Sequence, residues 1–390
     1  MATPSITMIP SGYKAQKVYS VLPTNGDGDL TFDRNNIGTR VNKNGLIEQV
    51  ATDIPRLDYS DGSCPSLLLE PASTNLAEYS EDFSQWDTFS QGSGTTPIVT
   101  LNNSISPDGA NNATRLQCSL NGGSTSSDRS YIKYDGLSTT PFLTTKSLYI
   151  KNNQSTEVVL YIGINNSADT ITIPANSPFA RYEVSNTNIN NEFRIGIQGG
   201  YLNSDSIDID IWGAQLEEQP YATSYIPTTS GTASRGTETS YKDGLSSYIS
   251  STAGVLYAEF AALSNELDGI FNVLTLNVGT ASGANGILLG FNTTNQIYAS
   301  AGGQFITSYT PTDATDFHKV AVKYEDNNSK LFINGVQVGS TNTTTTIPSG
   351  LSRLGFDNGA GSSRFHVKTK DVRVYNTALT DLELQELTTI

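Results

Sequence analysis

Apolar and polar residues alternate with a period of two along much of the chain, the pattern of strands with one buried face. The clearest case is Ile207-Asp208-Ile209-Asp210-Ile211-Trp212, with isoleucines on one face and acids or an indole on the other. Glu192 to Ile197 alternates as strictly, and Tyr131-Ile132-Lys133-Tyr134 and Lys146 to Ile150 read as further strands. Val158-Val159-Leu160-Tyr161-Ile162 reads as a buried strand. Towards the C-terminus, strands are expected at Val255 to Phe260, Ile270 to Leu276, Ile287 to Phe291, Lys319 to Tyr324, Lys330 to Val338 and Phe365 to Val374. Asn44-Gly45 and Asn334-Gly335 each sit between short apolar runs and predict tight hairpins. One helix is expected, at the end of the chain. Thr380 and Glu383 form a capping box, and Leu379, Leu382 and Leu387 supply an apolar stripe.

These elements predict an all-β protein in three parts. Residues 1–75 form a small region too sparse in apolar residues for a strong core of its own, expected to pack on a neighbour or a partner chain. Residues 76–232 and 233–390 form two β-sandwiches of the jelly-roll kind, the second closed by the short helix. Between the sandwiches, Pro220, Pro227 and the Thr/Ser/Gly run from Thr228 to Ser234 read as an ordered passage ending in a linker.

Composition narrows the function. The 23 Lys and Arg against 38 Asp and Glu give a formal charge of −15, and no basic cluster offsets it. Phosphate backbones would be repelled, which excludes nucleic-acid binding. Residues 269–312 carry no charge, but Asn, Thr, Ser and Gly interrupt them too often for a membrane span. The first eleven residues lack the basic and apolar segments of a secretion signal. Cys64 and Cys118 are too few for a disulfide framework and are read as reduced thiols. With 19 Tyr, the chain is too aromatic for long disorder. Only 16% of residues are charged, so Asn, Thr, Ser and Gly must cover the surface, which suits exposed strands and turns.

Few groups are suited to catalysis. His318 and His366 both lie in strand patterns, and no Gly-x-Ser-x-Gly elbow accompanies them. Two His and two distant Cys make a His/Cys metal site improbable. Asp208 and Asp210, two apart on one strand, have the spacing of a glycosidase acid pair, but no Glu follows two or three places after Asp210. They are read as a solvated strand face. No catalytic residue is assigned, and no cofactor is expected unless it is calcium. Two loops offer alternate oxygen ligands: Asn25-Gly26-Asp27-Gly28-Asp29, which lacks the bidentate Glu of an EF-hand, and Asp357-Asn358-Gly359, with Asp357 as the candidate calcium ligand. What remains is binding. Trp86, Asp357 and Asn358 are the candidate carbohydrate-binding residues. Trp212 is a second possible platform, read as a core residue.

Gly28-Asp29-Leu30-Thr31-Phe32, Gly38 to Glu48, Pro55-Arg56-Leu57-Asp58-Tyr59 and Ser66 to Leu76 resemble the N-terminal part of bacteriophage tail-fibre, head-fibre and minor structural proteins. Tyr79 to Trp86, Ser106-Pro107-Asp108-Gly109, Trp212 to Glu218 and Tyr221 to Thr229 resemble the opening and exit of the carbohydrate-binding-like jelly roll found in such proteins. Lys319 to Tyr324, Lys330 to Val336 and Val372 to Glu383 resemble the closing strands and terminal helix of the laminin-G/concanavalin-like lectin superfamily. The resemblance implies a non-enzymatic virion protein, assembled in the host cytoplasm. Its N-terminal region would dock on other virion proteins, and its sandwiches would bind host-surface glycans. The expected assembly is a homo-oligomer, as a trimer. Two alternatives stay open: a purely structural capsid-decorating or tail-scaffold protein, and a polysaccharide-degrading tailspike using Asp208 and Asp210.

Overall fold

The computed structural model describes residues 2–135, 142–163, 170–188, 192–201, 203–266, 269–280 and 285–390. The fold is all-β with one short helix at the C-terminus. The chain divides into two compact units. One is discontinuous and comprises residues 1–43, 49–72 and 236–390; the other comprises residues 44–48 and 73–235. Among the described residues no helix is long and apolar enough to cross a membrane.

The discontinuous unit is a sandwich of a nine-stranded and a seven-stranded sheet. Its N-terminal part is not a separate body. Ile6–Lys14 pairs with the C-terminal strand Val367–Tyr375, and Thr31–Asp33 is the edge of the seven-stranded sheet, next to Thr239–Lys242. Ile6, Met8, Val18, Leu30 and Leu57 enter the same apolar core as Leu256, Leu274 and Val322. The sequence boundary at residue 75 therefore does not bound a domain. The N-terminal strands have too little apolar surface to close a core, and they complete one built mainly by residues after 236.

A buried ionic cluster fixes this junction. Glu238 accepts hydrogen bonds from Arg34 Nη1 at 2.6 Å, Arg56 Nε at 2.8 Å and the Glu70 N–H at 2.9 Å, and Arg56 also bonds Glu70 at 2.7 Å. Arg34, Arg56 and Glu238 are fully buried.

The Asn334-Gly335 hairpin forms as expected. Both residues have positive φ, +49° and +83°, and Ile333 pairs with Val336. The C-terminal helix Asp381–Thr388 carries the capping box, but its apolar face differs from the expected stripe. Leu384 and Leu387 are buried with Leu379, whereas Leu382 is 65% exposed. Leu384 and Leu387 are three apart and share a face, which the helix turns towards Tyr257 and Phe332.

The second unit is a sandwich of two five-stranded sheets. One sheet runs, in spatial order, Ile98–Ser104, Ala113–Ser119, Ser206–Glu217, Phe142–Asn152 and Ala180–Asn188. Its inner face contributes Leu116, Cys118, Leu148, Ile150, Ile207, Ile209 and Ile211. The other sheet meets it with Ile132, Leu160, Ile162, Phe193, Ile195 and Ile197. Because strand side chains alternate, the residues between these lie on the outer face of the first sheet: Arg115, Gln117, Asp208, Asp210 and Trp212.

Candidate functional site

The outer face of this five-stranded sheet holds a hydrogen-bonded polar surface. Cross-strand register puts Ile98 opposite Gln117 and Gln117 opposite Asp208. One step along, Thr100 faces Arg115, Arg115 faces Asp210, and Asp210 faces Lys151. Arg115 donates from Nε to Asp208 Oδ1 at 2.7 Å and from Nη2 to Oδ2 at 2.5 Å. Gln117 Nε2 adds a bond to Oδ2 at 3.1 Å, and Asn153 Nδ2 one to Oδ1 at 3.5 Å. Asp210 accepts from Ser104 Oγ at 2.7 Å, Asn103 Nδ2 at 2.9 Å, Asn153 Nδ2 at 3.0 Å and Lys151 Nζ at 3.0 Å.

These contacts set the charge state of both acids. The Arg115 hydrogen bonds hold the Asp208 carboxyl below the usual carboxylate range. Burial pushes Asp210 up, but Ser104, Asn153 and Lys151 together outweigh it and hold that carboxyl low as well. A glycosidase acid must keep its proton near neutral pH, which requires a raised pKa. Asp208 and Asp210 are instead ionised anchors of a hydrogen-bonded surface, and neither holds the proton that a general acid needs.

At one end of this face opens a groove of about 360 Å³, lined by Thr95, Thr96, Ile98, Gln117, Gln154 and Asp208, with Ser119 and Ser206 beside them. Gln154 is fixed by accepting the Asp208 backbone N–H on Oε1 at 2.9 Å. Among the described residues its Nε2 and the Oε1 of Gln117 have no hydrogen-bond partner, and both side chains line the groove. Ile98, on the edge strand, is 59% exposed. Among the described residues, the lining contains no aromatic ring.

The sequence-expected binding residues lie elsewhere. Trp86 is not a platform: it is 4% exposed and packs against Phe83, Phe193 and Tyr134 with ring centroids 5.2, 5.3 and 5.8 Å away. A ring with both faces in the core cannot stack on a sugar. Trp212 lies on the outer face but is equally hidden, beneath Tyr225 at 4.6 Å and Tyr149 at 5.6 Å.

Asp357 is 1% exposed and builds its own loop. Its Oδ2 accepts Arg353 Nη2 at 3.0 Å and its Oδ1 the Gly359 N–H at 2.7 Å, while Arg353 lies 4.2 Å over the Tyr241 ring. Asn358 Oδ1 accepts the N–H groups of Ala360 at 3.1 Å and Ser362 at 3.2 Å. Neither residue is placed to grip a sugar, because their acceptors are occupied by the turn itself.

The same contacts bear on calcium. Both Asp357 oxygens are taken. In the Asn25–Asp29 loop, Asp29 accepts the Ser20 N–H at 2.9 Å and pairs with Lys17 at 3.3 Å, and Asp27 accepts the Tyr248 hydroxyl at 2.8 Å. Among the described residues no three His, Cys, Asp or Glu side chains converge. The donor sets do not fit a calcium ion, which needs six to eight oxygens.

The histidines hold local structure. His318 Nε2 meets the Asp313 carbonyl at 3.0 Å and Nδ1 the Asn334 amide at 3.2 Å, and His366 Nε2 meets Thr237 Oγ1 at 3.1 Å. Both thiols are free, Cys64 exposed and Cys118 buried, and burial pushes Cys118 up to about 12.

Gln117, Gln154, Arg115 and Ile98 were not visible as site residues in the sequence. The available signal was the alternation Thr114-Arg115-Leu116-Gln117-Cys118, whose apolar members point inward. The partner strand Ile98–Ser104 gives no such signal, because it is an edge strand exposed over most of its length.

No curated protein matches the chain. Among solved structures, domain 4 of an extracellular GH43 arabinanase from Geobacillus stearothermophilus, in complex with arabinotriose, is 17% identical with a TM-score of 0.32, covering 43% of this chain and 82% of that one. The N-terminal CBM22 tandem of Xyn10C from Paenibacillus barcinonensis is 11% identical with a TM-score of 0.27, covering 79% and 99%. A mutant Trypanosoma rangeli sialidase displaying trans-sialidase activity is 16% identical with a TM-score of 0.27, covering 35% of this chain, which spans 22% of the sialidase. The family described as the Concanavalin A-like lectin/glucanases superfamily matches residues 266–385, which lie in the discontinuous unit.

Proposed function

We propose that this protein is a non-enzymatic, carbohydrate-binding component of a bacteriophage particle that engages glycans on the host surface. The observation that carries the reading is the groove beside Gln117, Gln154 and Asp208, an open polar surface whose carboxylates are locked as ion pairs. Short polar side chains on a rigid sheet match the alternating donors and acceptors of sugar hydroxyls. The lectin-superfamily match of residues 266–385 supports glycan binding in the other unit.

The phage setting draws on the resemblance of residues 28–76 to fibre and minor structural proteins. In this reading the discontinuous unit, which contains most of those residues, docks on other virion proteins. The chain is assembled in the host cytoplasm as a homotrimer, and several weak sugar contacts add up to useful avidity. A purely structural decoration or scaffold role is the second reading, favoured by the burial of Trp86 and Trp212, which leaves the groove without a stacking ring.

Binding of the full-length protein to host cells and to a panel of bacterial surface glycans tests the proposal. Binding that falls in a Gln154→Ala variant supports it, and absence of binding to every glycan and host overturns it in favour of the structural role. Release of reducing sugar from a host polysaccharide would overturn the non-enzymatic reading.

A further inference from the structure

We infer that the groove selects neutral glycans carrying an N-acetyl group, an inference that rests on the glycan-binding reading above. Two features define the selection, charge balance and the pairing of an apolar with an accepting group.

The cations of this face are already engaged. Arg115 is bidentate on Asp208, and Lys151 bonds Asp210. Asp208 in turn takes four donors: two from Arg115, one from Gln117 and one from Asn153. A uronate, sialate or phosphate entering here would meet the Asp208 carboxylate, with Arg115 and Lys151 each already offset by an aspartate, on a protein of net charge −15. A neutral sugar has no such cost.

The groups left over have a particular arrangement. Ile98 and Gln117 face each other across neighbouring strands, which sets their Cβ atoms about 5 Å apart. Gln117 uses its amide N–H on Asp208, so its Oε1 stays free to accept. A trans acetamide carries its methyl and its N–H on the same edge, with the carbonyl oxygen on the opposite edge. That edge matches the pair: methyl against Ile98, which is 59% exposed, and N–H to Gln117 Oε1. The pyranose ring then extends towards Gln154 Nε2 and Ser206 Oγ, which suit its hydroxyls. A plain hydroxyl in place of the acetamide could still use Gln117, but it would leave Ile98 facing water.

The test is a panel of bacterial and synthetic saccharides that includes matched pairs differing only in acetamide against hydroxyl, chitotetraose against cellotetraose among them, titrated onto the full-length protein. The expected result is binding confined to N-acetylated neutral saccharides. Replacing acetamide by hydroxyl should weaken it at least about tenfold. Ile98→Ser should remove that preference, and Gln117→Ala should weaken N-acetylated ligands most. Leu101→Ser, on the same exposed strand but away from the groove, should change neither. Equal binding of both members of each pair, or preferential binding of acidic glycans, overturns this inference and leaves the glycan reading standing. Binding of no saccharide overturns both.

Discussion

Arg115 grips both carboxylate oxygens of Asp208 across the strand pair Ala113–Ser119 and Ser206–Glu217, at 2.7 and 2.5 Å. The fork-to-fork geometry keeps Asp208 ionised, and the same carboxylate takes the Gln117 amide N–H, which leaves the Gln117 oxygen uncommitted on a residue that lines the groove.

Replacing Arg115 with Gln should let the Asp208 carboxyl rise towards its ordinary value of about 3.9, a shift that carbon NMR of the carboxyl would follow. The stability change should stay within about 1 kcal/mol, because both side chains are partly exposed and water screens the pair. Glycan binding should weaken more than stability, since Gln117 loses its shared anchor. A large fall in stability with unchanged binding would show that the pair holds the fold rather than the groove.

Asp210 behaves differently because its side chain is fully buried beside Lys151. Asp210→Asn should cost about 1.5–3 kcal/mol, the range for hydrogen bonds to a charged group, measurable by urea unfolding. The folded-state pKa is depressed, so the carboxylate stabilises the protein above its unfolded value of about 3.9, and that contribution disappears as pH falls through the folded value. The wild-type protein should therefore lose stability more steeply below about pH 4 than the variant does. No sugar-releasing activity should accompany either form.

The strands with one inward apolar set were legible in the sequence. Ile207, Ile209 and Ile211 alternate with acids, and the structure buries the isoleucines and turns the acids outward. The hairpin at Asn334-Gly335 and the capping box at Thr380 were equally legible, because each depends on residues within a few positions. Trp86 was misread because indole suits both a sugar platform and a core, and only contacts with Phe193, over a hundred residues away, decide between them. The same holds for the N-terminal region. Whether Ile6 and Met8 form their own body or complete another depends on pairing with Val374 and Val372, which local sequence does not encode. The groove was hidden for a third reason. Its residues come from four separate segments, and Ile98 lies on a strand too exposed to show alternation.

Trp86 should act in stability and not in recognition. Trp86→Ala should cost about 3–5 kcal/mol through the cavity it leaves. Trp86→Phe should cost less and leave glycan affinity unchanged. Loss of binding in a folded Trp86→Phe variant would return the residue to the binding surface.

The two cysteines should differ sharply towards a thiol reagent. Cys64 is exposed and should react at once under native conditions, whereas buried Cys118, its thiol pushed up to about 12, should react only when the second unit opens. Counting modified thiols with and without denaturant checks this. Rapid labelling of both would show that the core strand Ala113–Ser119 frays.

A stability effect of similar size is expected at Glu238, which is paired with two fully buried guanidinium groups. Burial alone would expel charge from Arg56, but Glu238 and Glu70 outweigh it and raise its pKa. Removing the acid leaves two buried cations facing the single carboxylate of Glu70, and breaking a buried pair in this way costs about 3–5 kcal/mol. Glu238→Gln should therefore unfold the discontinuous unit at distinctly lower denaturant, while Cys118 in the second unit keeps its protection. Replacing Arg34 as well, with Met, removes one of the unpaired charges and should recover part of the loss. If the double variant is no more stable than Glu238→Gln alone, Glu238 acts through its bond to the Glu70 backbone rather than through charge balance.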